Sequence, residues 1–353
     1  MRYLKHAWIF VALAFALGIA YAQAASDQEL IVYNWEDYLA PDTLDVFSAR
    51  HGIKTTLKTF SDEDQVGGAL IADPGAYDVA VLSDTLAQKL YKQGLLANLD
   101  HTKIPGLDNI DPRYYGRQSD PDNAFSVPYL WGTTGIVINR KHITQKDASW
   151  AILWNPAYKG HIAMLNNRDE VIGASLKYLG YSLNSGSPKE LKAAQNKLNE
   201  QKPLLAGYLD PIAIRSGLID GTYWAAQEYS GEAMSAIEKN PDLEYLIPFE
   251  GASLWVDCLV IPASSKHKEA AHAFINYIMD PRVNAGIANY LNYASCNKAA
   301  AAFTDKTILD NPHLYPPQDI LDLCEFISLD DKQNTKDSED YRNSTWKALS
   351  AKN

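Results

Sequence analysis

The chain has 353 residues, of which 46% are hydrophobic and 21% are charged, and its net charge is −11. The apolar fraction is ample for a packed core, which excludes a disordered or collagen-like protein, and the length favours two lobes over one small domain. The excess of acidic residues disfavours binding to nucleic acid or to anionic lipid through long-range attraction.

Residues 1–24 have the pattern of a secretory signal peptide. Arg2 and Lys5 precede an apolar run of 14 residues from Ala7 to Ala20, and Ala22-Gln23-Ala24 has the small-x-small pattern of a cleavage site. The run is short for a permanent membrane span, and no cysteine directly follows it that would carry a lipid. We therefore predict a soluble, exported protein with a cleaved signal peptide, which is not a lipoprotein.

Strands and helices alternate in the first part of the mature chain. The predicted strands are 29–33, 54–60 and 77–82, and the predicted helices are 41–50, 62–71 and 83–93. This alternation predicts a parallel sheet that is covered by helices on both faces. Ligands of such sheets lie at the carboxyl ends of the strands, where residues 35–38 and 83–85 are found.

Two apolar runs, Ser126–Asn139 and Leu254–Pro262, are each long enough to cross between two lobes. The other elements predicted beyond residue 100 are a strand at 161–165, helices at 170–179, 188–199, 268–279 and 281–289, and a polar C-terminal segment from about Thr304. This organisation predicts two α/β lobes joined by two crossings, with a cleft between the lobes. The predicted boundaries are 25–131 plus 258–302 for the N-terminal lobe and 132–257 plus 303–353 for the C-terminal lobe.

Sequence motifs of common enzymes are missing. There is no G-x-S-x-G elbow, no P-loop, no G-x-G-x-x-G and no H-E-x-x-H. Ser265 and Lys268 have the S-x-x-K spacing, but they lie in a polar segment that predicts a helix start. The histidines show no metal-ligand spacing, so no metal site and no cofactor are predicted. The adjacent Tyr114 and Tyr115 are the one pair typical of ferric-ion binders.

Cys258, Cys296 and Cys324 are the only cysteines, and none has a metal-ligand spacing. Export permits one disulfide, for which Cys296–Cys324 is the predicted pair. Cys258 lies in an apolar run and is predicted to be a buried small side chain.

Aromatic residues recur beside carboxylates at predicted loops and strand ends. The three groups are Trp35-Glu36-Asp37-Tyr38, Tyr229 with Glu232, and Trp255 with Asp257. A ring face attracts a cation by about 0.5–2 kcal/mol, and a charge-assisted hydrogen bond adds about 1.5–3 kcal/mol. The grouping therefore fits a desolvated alkylammonium ligand, although each group alone also fits core packing beside a solvated acid.

Six segments resemble, in the same order, the periplasmic polyamine-binding proteins that serve ABC importers of spermidine and putrescine. They are YNWEDYLAPDTLDVFSARHGIK, AYDVAVLSD, SVPYLWGTTGIVIN, LWVDCLVIPASSKHKEAAHAFINYIMDPRV, NYASCNKAA and NPHLYPP. The resemblance covers essentially the whole mature chain. It implies the two-lobed α/β periplasmic binding protein fold of type II, polyamine capture by lobe closure, and delivery to a membrane permease without any chemistry. We expect a monomer with no nucleic-acid partner.

The resemblance also implies which residues bind the ligand. Five form an aromatic box around the polyamine chain: Trp35, Tyr38, Tyr229, Trp255 and Tyr293. Four acids grip the amines: Asp37 at one end, Asp257 at an inner or second amine, Glu170 at the far end, and Glu232, which is acidic in putrescine-binding members. The predicted set is completed by Glu36, Ser83, Asp84, Thr85 and Asn167.

Three positions depart from the family pattern. Thr85 stands where spermidine binders have a tyrosine, Asn167 where they have an aspartate, and Tyr229 where close relatives have a tryptophan. The loss of one ring and one acid removes partners of a longer, triply charged ligand. We therefore predict putrescine as the preferred ligand over spermidine. Asp84, next to Thr85, is the residue that would restore a negative charge.

Three alternatives stay open at this point. The first is an exported hydrolase in which two carboxylates, such as Asp37 and Asp257, serve as acid and base. The second is a binder of the same fold for ferric ion or for an amino acid, whose carboxylate would need an arginine such as Arg168 or Arg215. The third is a polyamine sensor that passes its cargo to a signalling partner.

Overall fold

The computed structural model describes residues 29–61, 63–73, 75–328 and 335–351. The predicted signal peptide lies outside the described residues, and its cleavage stays a prediction. None of the helices in the described ranges has the length and apolar character that crossing a membrane requires.

The strands of the described ranges form one mixed sheet. They are β1 (Glu29–Trp35), β2 (Lys54–Phe60), β3 (Val79–Ser83), β4 (Ser126–Asn139), β5 (Ile162–Leu165), β6 (Leu205–Leu209), β7 (Ala225–Tyr229), β8 (Leu243–Leu246), β9 (Ser253–Val260), β10 (Ala294–Ser295) and β11 (Glu325–Phe326). The main path through the sheet is β2-β1-β3-β9-β4-β7-β5-β6, while β8 and β10 pair with β4, and β11 pairs with β9.

Helices cover this sheet. They are α1 (Thr43–His51), α2 (Glu63–Ala72), α3 (Asp84–Lys92), α4 (Arg168–Tyr178), α5 (Pro188–Gln201), α6 (Pro211–Ile219), α7 (Ser230–Lys239), α8 (Lys268–Ile278), α9 (Pro281–Leu291), α10 (Lys306–Leu309), α11 (Gln318–Leu321) and α12 (Lys336–Ser350). Helix α1 ends at His51, one residue beyond the predicted end, where Gly52 adopts the left-handed conformation (φ 66°) and donates its N–H to the Ser48 carbonyl.

Two long strands, β4 and β9, run through both halves of the sheet. Strand β9 pairs antiparallel with β3, where Ser83 lies opposite Asp257, and antiparallel with β4, where Gly132 lies opposite Trp255. The far end of β4 pairs with β7. Every residue of β4 is buried, which explains its apolar sequence without alternation. The predicted two-lobed fold with two crossings is therefore confirmed, and the crossings are β4 and β9.

The prediction of a parallel sheet is correct for the strands that alternate with helices, but the crossing strands pair with them antiparallel. The pairs β1–β2, β1–β3, β5–β6 and β5–β7 are parallel, whereas β3–β9, β4–β9 and β4–β7 are antiparallel. Alternating strands and helices predict the direction of consecutive units only. The two crossing strands lie far apart in the chain, so that pattern does not constrain how they pair.

Each lobe is a three-layer sandwich in which alternate strand residues pack on opposite faces. On β3, Val79 and Val81 belong to one buried apolar cluster, and Leu82 belongs to the cluster on the other face. On β4, Ile136 belongs to one buried apolar cluster of the other lobe, and Val137 belongs to the cluster on the opposite face. Full burial of one such side chain contributes about 1.5–3 kcal/mol. The exact lobe boundaries stay a prediction.

The predicted disulfide is wrong, because Cys258, Cys296 and Cys324 are all free. Cys258 is buried as predicted. Cys296 is buried after β10 in the core of the first lobe, whereas Cys324 is half-buried after α11 and donates its thiol hydrogen to the Ile320 carbonyl oxygen (3.4 Å). Burial raises the pKa of all three thiols, which disfavours their thiolate forms.

Gly251 is a position that excludes a side chain both by conformation and by space. Its φ is +90°, and a Cβ there would lie 1.9 Å from the Leu323 carbonyl oxygen. We expect Gly251→Ala to lower the free energy of unfolding by about 3 kcal/mol, since left-handed strain and overpacking each cost about 1–3 kcal/mol. Urea unfolding monitored by circular dichroism measures the loss.

Gly52→Ala is the matched control for this prediction. Gly52 also has a positive φ of 66°, but a Cβ at this position would meet no atom within 4 Å, so only the backbone strain of about 1–2 kcal/mol is expected. Equal losses in the two variants would show that the collision with Leu323 contributes nothing.

Candidate functional site

A cleft lies between the two lobes, at the carboxyl ends of β1, β3, β6 and β7 and across β9. We call it the interlobe cleft. Thirteen of the fourteen predicted site residues line it: Trp35, Glu36, Tyr38, Ser83, Asp84, Thr85, Asn167, Glu170, Tyr229, Glu232, Trp255, Asp257 and Tyr293. The fourteenth, Asp37, does not. Contact of these residues with a ligand stays a prediction.

The loop after β1 is held in shape by Asn34. Its Oδ1 accepts a hydrogen bond from the Trp35 N–H (2.9 Å), and its Nδ2 donates to the Tyr38 carbonyl oxygen (3.0 Å). Asn34 itself is buried, so these bonds are shielded from water. The asparagine of the YNW sequence therefore positions the two aromatic residues, Trp35 and Tyr38, in the cleft wall.

Four aromatic rings form a continuous edge-to-face row. Tyr229 contacts Trp255 with ring centroids 5.7 Å apart, Trp255 contacts Tyr293 at 5.5 Å, and Tyr293 contacts Tyr38 at 5.4 Å. Edge-to-face packing leaves ring faces available to other groups and stabilises each pair by about 0.5–1.5 kcal/mol. The row joins residues from both lobes into one aromatic wall, to which Trp35 adds a ring packed on Phe60.

Asp257 lies on the crossing strand β9, on the same face as Trp255. It is 9% exposed, and its Oδ2 accepts a hydrogen bond from the Tyr38 hydroxyl (2.8 Å). Burial, followed by the charge of Asp257, raises the pKa of Tyr38, so the phenol stays protonated and acts as the donor. This pair connects the loop after β1 to the crossing strand.

Glu170 lies in the first turn of α4 and is buried. Its Oε1 accepts from the Thr134 hydroxyl (2.9 Å) of β4, and its Oε2 accepts from the Ser253 hydroxyl (2.6 Å) of β9. Both crossing strands thus hold this carboxylate.

Two polar residues of the predicted set serve mainly to cap helices. Ser83 accepts the Leu86 N–H at the start of α3, and its hydroxyl lies 3.2 Å from that of Thr85. Asn167 caps α4 through its Oδ1, which accepts the N–H groups of Asp169 and Glu170. Its amide nitrogen is left to face the cleft and is 3.5 Å from the Tyr229 hydroxyl.

Asp37, which is expected to grip a terminal amine, is not part of the cleft lining, and that role stays a prediction. Asp37 has a positive φ of 55°, and its side chain is 60% exposed. Its Oδ2 accepts a hydrogen bond from Nη2 of Arg215 (3.1 Å), whose Nη1 donates to Glu232 (2.8 Å). The carboxylate of Asp37 thus pairs with an arginine that lies outside the segments that resemble the family.

Asp84, the residue expected to restore a negative charge, is paired within the protein, and its contact with a ligand stays a prediction. Asp84 is 6% exposed, and its Oδ2 forms an ion pair with Arg117 (2.7 Å) and accepts from the Ser119 hydroxyl (3.2 Å). The Arg117 guanidinium in turn lies 3.5 Å from the ring centroid of Phe326. Asp84 borders the cleft, but its charge is already matched within the protein.

The charge of the lining is one-sided. Seven carboxylate residues border the cleft, namely Glu36, Asp84, Asp169, Glu170, Asp210, Glu232 and Asp257, and among the described residues no lysine, arginine or histidine does. Burial raises the pKa of Glu232, which Arg215 partly offsets. Such a site favours a ligand with positive charge over one that carries a carboxylate.

Eight further lining residues were not predicted: Phe60, Ser61, Asp169, Asp210, Pro211, Ile212, Leu254 and Ile327. Phe60–Ser61 lie at the carboxyl end of β2, where the carboxyl-end rule applied to the predicted strand would have found them. Asp210–Ile212 lie at the carboxyl end of β6, a strand that the sequence did not reveal. Ile327 follows the two-residue strand β11 and has no sequence signal.

The residues behind two alternative functions do not meet in this cleft. Tyr114 is buried against Trp131, with ring centroids 5.2 Å apart, whereas Tyr115 is exposed, so they form no shared ligand set. Arg168 pairs with Asp169 and Glu339 rather than facing the lining. Within the described ranges no group of three or more His, Cys, Asp or Glu is placed to hold a metal ion.

Comparisons with known proteins agree on the family. The model of a family described as bacterial extracellular solute-binding protein matches residues 43–316. A spermidine/putrescine-binding periplasmic protein of Salmonella typhimurium is 34% identical over 310 residues, which cover 87% of this chain and 89% of the relative. A putrescine-binding periplasmic protein of Pseudomonas aeruginosa is 32% identical over 319 residues, covering 85% and 87%.

A solved structure gives the same result for the fold. The spermidine/putrescine ABC transporter substrate-binding protein of Streptococcus pneumoniae superposes with a TM-score of 0.78 at 31% identity, covering 92% of this chain and 100% of that chain. The architecture of the two chains is therefore the same along nearly their whole length.

Glu228 is a buried carboxyl group on β7, next to Tyr229 of the cleft lining. It is 0% exposed on the central strand β7, its Oε1 accepts the Tyr229 N–H (2.8 Å), and its Oε2 has no hydrogen-bond partner among the described residues. Burial, and next the charge of Glu232, raise its pKa well above the usual value. Between the ordinary pKa of glutamate and the raised pKa, the folded protein binds a proton at Glu228 that the unfolded protein does not. The free energy of unfolding therefore falls as the pH rises through this range.

We expect Glu228→Gln to raise the free energy of unfolding more at pH 8 than at pH 5, because the amide carries no charge to desolvate. The difference between the two gains is about 1.4 kcal/mol for each unit by which the pKa of Glu228 lies above 5, up to pH 8. Urea unfolding at the two pH values measures it. Glu238→Gln, at a glutamate of α7 that is not buried, is the control. Equal gains at both pH values would contradict the raised pKa.

Proposed function

The chain belongs to the bacterial extracellular solute-binding protein family, and from this premise we propose that it captures a polyamine in the interlobe cleft and delivers it to an ABC importer. Its place of action is the periplasm, after cleavage of the signal peptide, and its partner is the membrane permease of the importer. It acts as a monomer and performs no chemistry on its cargo.

The observation that carries this proposal is the lining of the cleft. Seven carboxylate residues and an aromatic wall border it, without a basic side chain among the described residues. Carboxylates match protonated amines, and ring faces pack against methylenes and attract cations. An amino-acid ligand is disfavoured because Arg215, which reaches the edge of the cleft, is already paired with Asp37 and Glu232. The position of Asp37 outside the lining, paired with Arg215, also disfavours a hydrolase that uses Asp37 and Asp257 as acid and base.

Capture works by closure of the lobes around the ligand. Asp257 and Trp255 lie on a crossing strand, Tyr38 lies in the first lobe, and Glu170 and Tyr229 lie in the second. A ligand that contacts all of these groups binds the closed form better than the open form, and this difference in affinity is what shifts the equilibrium. The permease then recognises the closed, loaded protein.

Putrescine is the preferred cargo over spermidine. Thr85 and Asn167 supply neither a ring nor an acid for a third amine, and the neighbouring Asp84 is paired with Arg117. Tyr229 keeps a ring in the wall. Calorimetric titration with both amines tests this order, and spermidine binding tenfold tighter than putrescine would reverse it.

Asp257→Asn is expected to weaken putrescine binding by about 2 kcal/mol or more, which is about thirtyfold in Kd. The amide still accepts the Tyr38 hydroxyl, but a buried ammonium would lose its charged partner. Isothermal titration calorimetry of the variant and the wild type measures the difference.

Asp45→Asn, at an exposed aspartate of α1 that does not line the cleft, is the matched control and is expected to bind like the wild type. Wild-type affinity in Asp257→Asn, with both variants folded by circular dichroism, would contradict the assignment of this site.

A further inference from the structure

Arg215 connects two carboxylates that come from different lobes. It lies on α6, its Nη1 donates to Glu232 at the start of α7 (2.8 Å), and its Nη2 donates to Asp37 in the loop after β1 (3.1 Å). One guanidinium thus spans the edge of the interlobe cleft. This contact requires that the lobes lie close together, as they do in this structure.

The environment of this contact makes it more than a solvated surface pair. The side chain of Arg215 is 21% exposed and that of Glu232 is 13% exposed, whereas that of Asp37 is 60% exposed. Glu232 borders the cleft, so the guanidinium reaches from the outer edge to the lining. Arginine keeps its charge at all physiological pH values, and its planar fork suits two acceptors at once.

We propose that Arg215 is a specificity-determining residue, whose guanidinium holds Asp37 and Glu232 and thereby favours a ligand with two positive charges over one with three. This inference rests on the proposed function, because it concerns how the same cleft selects among polyamines. The Arg215 guanidinium would then occupy the position beside Asp37 and Glu232 that the third ammonium of a longer ligand would need.

The charges around the cleft support this assignment. A third ammonium near Glu232 would meet the guanidinium as a like charge and would have to displace it from two carboxylates. On the other side of the cleft, Arg117 holds Asp84 in the same manner. Asp257 and Glu170, in contrast, accept hydrogen bonds from hydroxyl groups and stay suited to two ammonium groups.

The test is the ratio of spermidine affinity to putrescine affinity, measured by calorimetry on the mature full-length protein. In Arg215→Met we expect this ratio to rise at least about fivefold, because Asp37 and Glu232 become available to a third amine. A role of Arg215 in folding alone would change both affinities together and leave the ratio unchanged. Arg215→Gln is the second variant, should the methionine variant not fold.

Two control variants separate the loss of positive charge at residue 215 from the loss of a positive charge elsewhere and from the loss of the arginine side chain itself. Arg113→Met removes an equal charge from an arginine that pairs with Asp111 away from the cleft, so the ratio should stay within about twofold of the wild type. Arg215→Lys keeps the positive charge and should also keep the ratio. A rise in the lysine variant as large as in the methionine variant would contradict a mechanism based on charge.

The outcomes are distinct for the two proposals. If the folded Arg215→Met or Arg215→Gln protein binds putrescine with an unchanged ratio, this inference is overturned and the proposed function stands. If the wild-type protein binds neither amine, the proposed function is overturned and this inference fails with it.

Discussion

The arrangement of the cleft depends on one buried contact, the hydrogen bond from the Tyr38 hydroxyl to the Asp257 carboxylate (2.8 Å). A carboxylate that is 9% exposed needs donors, and the protein supplies one from the loop after β1. Because Asp257 is part of β9, which crosses between the lobes, this contact fixes the aromatic loop relative to the strand that both lobes share. The ring row from Tyr38 to Tyr229 follows from that placement.

The second constraint is that seven acidic residues border the interlobe cleft, whereas none of its described lining residues is basic. The protein meets it in two ways: Arg117 and Arg215 neutralise Asp84 and Glu232 at the borders, and hydroxyl groups of both crossing strands hold Glu170. Burial instead raises the pKa of Glu228, the neighbour of Tyr229 on β7, which favours its uncharged form. A cationic ligand would meet the remaining demand for positive charge at the centre of the cleft.

Much of this molecule was predictable from sequence, and the exceptions have physical causes. Strand β2 and crossing strand β4 have the predicted bounds because their patterns are local. Strand β7 was missed because Gln227 and Glu228 make a central strand look polar; Gln227 in fact donates its amide N–H to the Glu170 carbonyl oxygen (2.9 Å). Thirteen of the predicted residues do line one cleft. The pairing of acids with arginines was not predictable, because it depends on contacts such as Asp37–Arg215 between residues 178 positions apart in sequence.

If the proposed function is correct, the cleft selects its ligand by two positive charges rather than by length or shape. A titration series at constant chain length separates these possibilities: putrescine, 4-aminobutyrate and 1,4-butanediol, each measured by calorimetry against the same protein preparation. We predict binding of putrescine, with 4-aminobutyrate and the diol weaker by at least about a hundredfold, because each lacks one or both ammonium partners of the buried carboxylates. Binding of 4-aminobutyrate as tight as that of putrescine would contradict selection by charge.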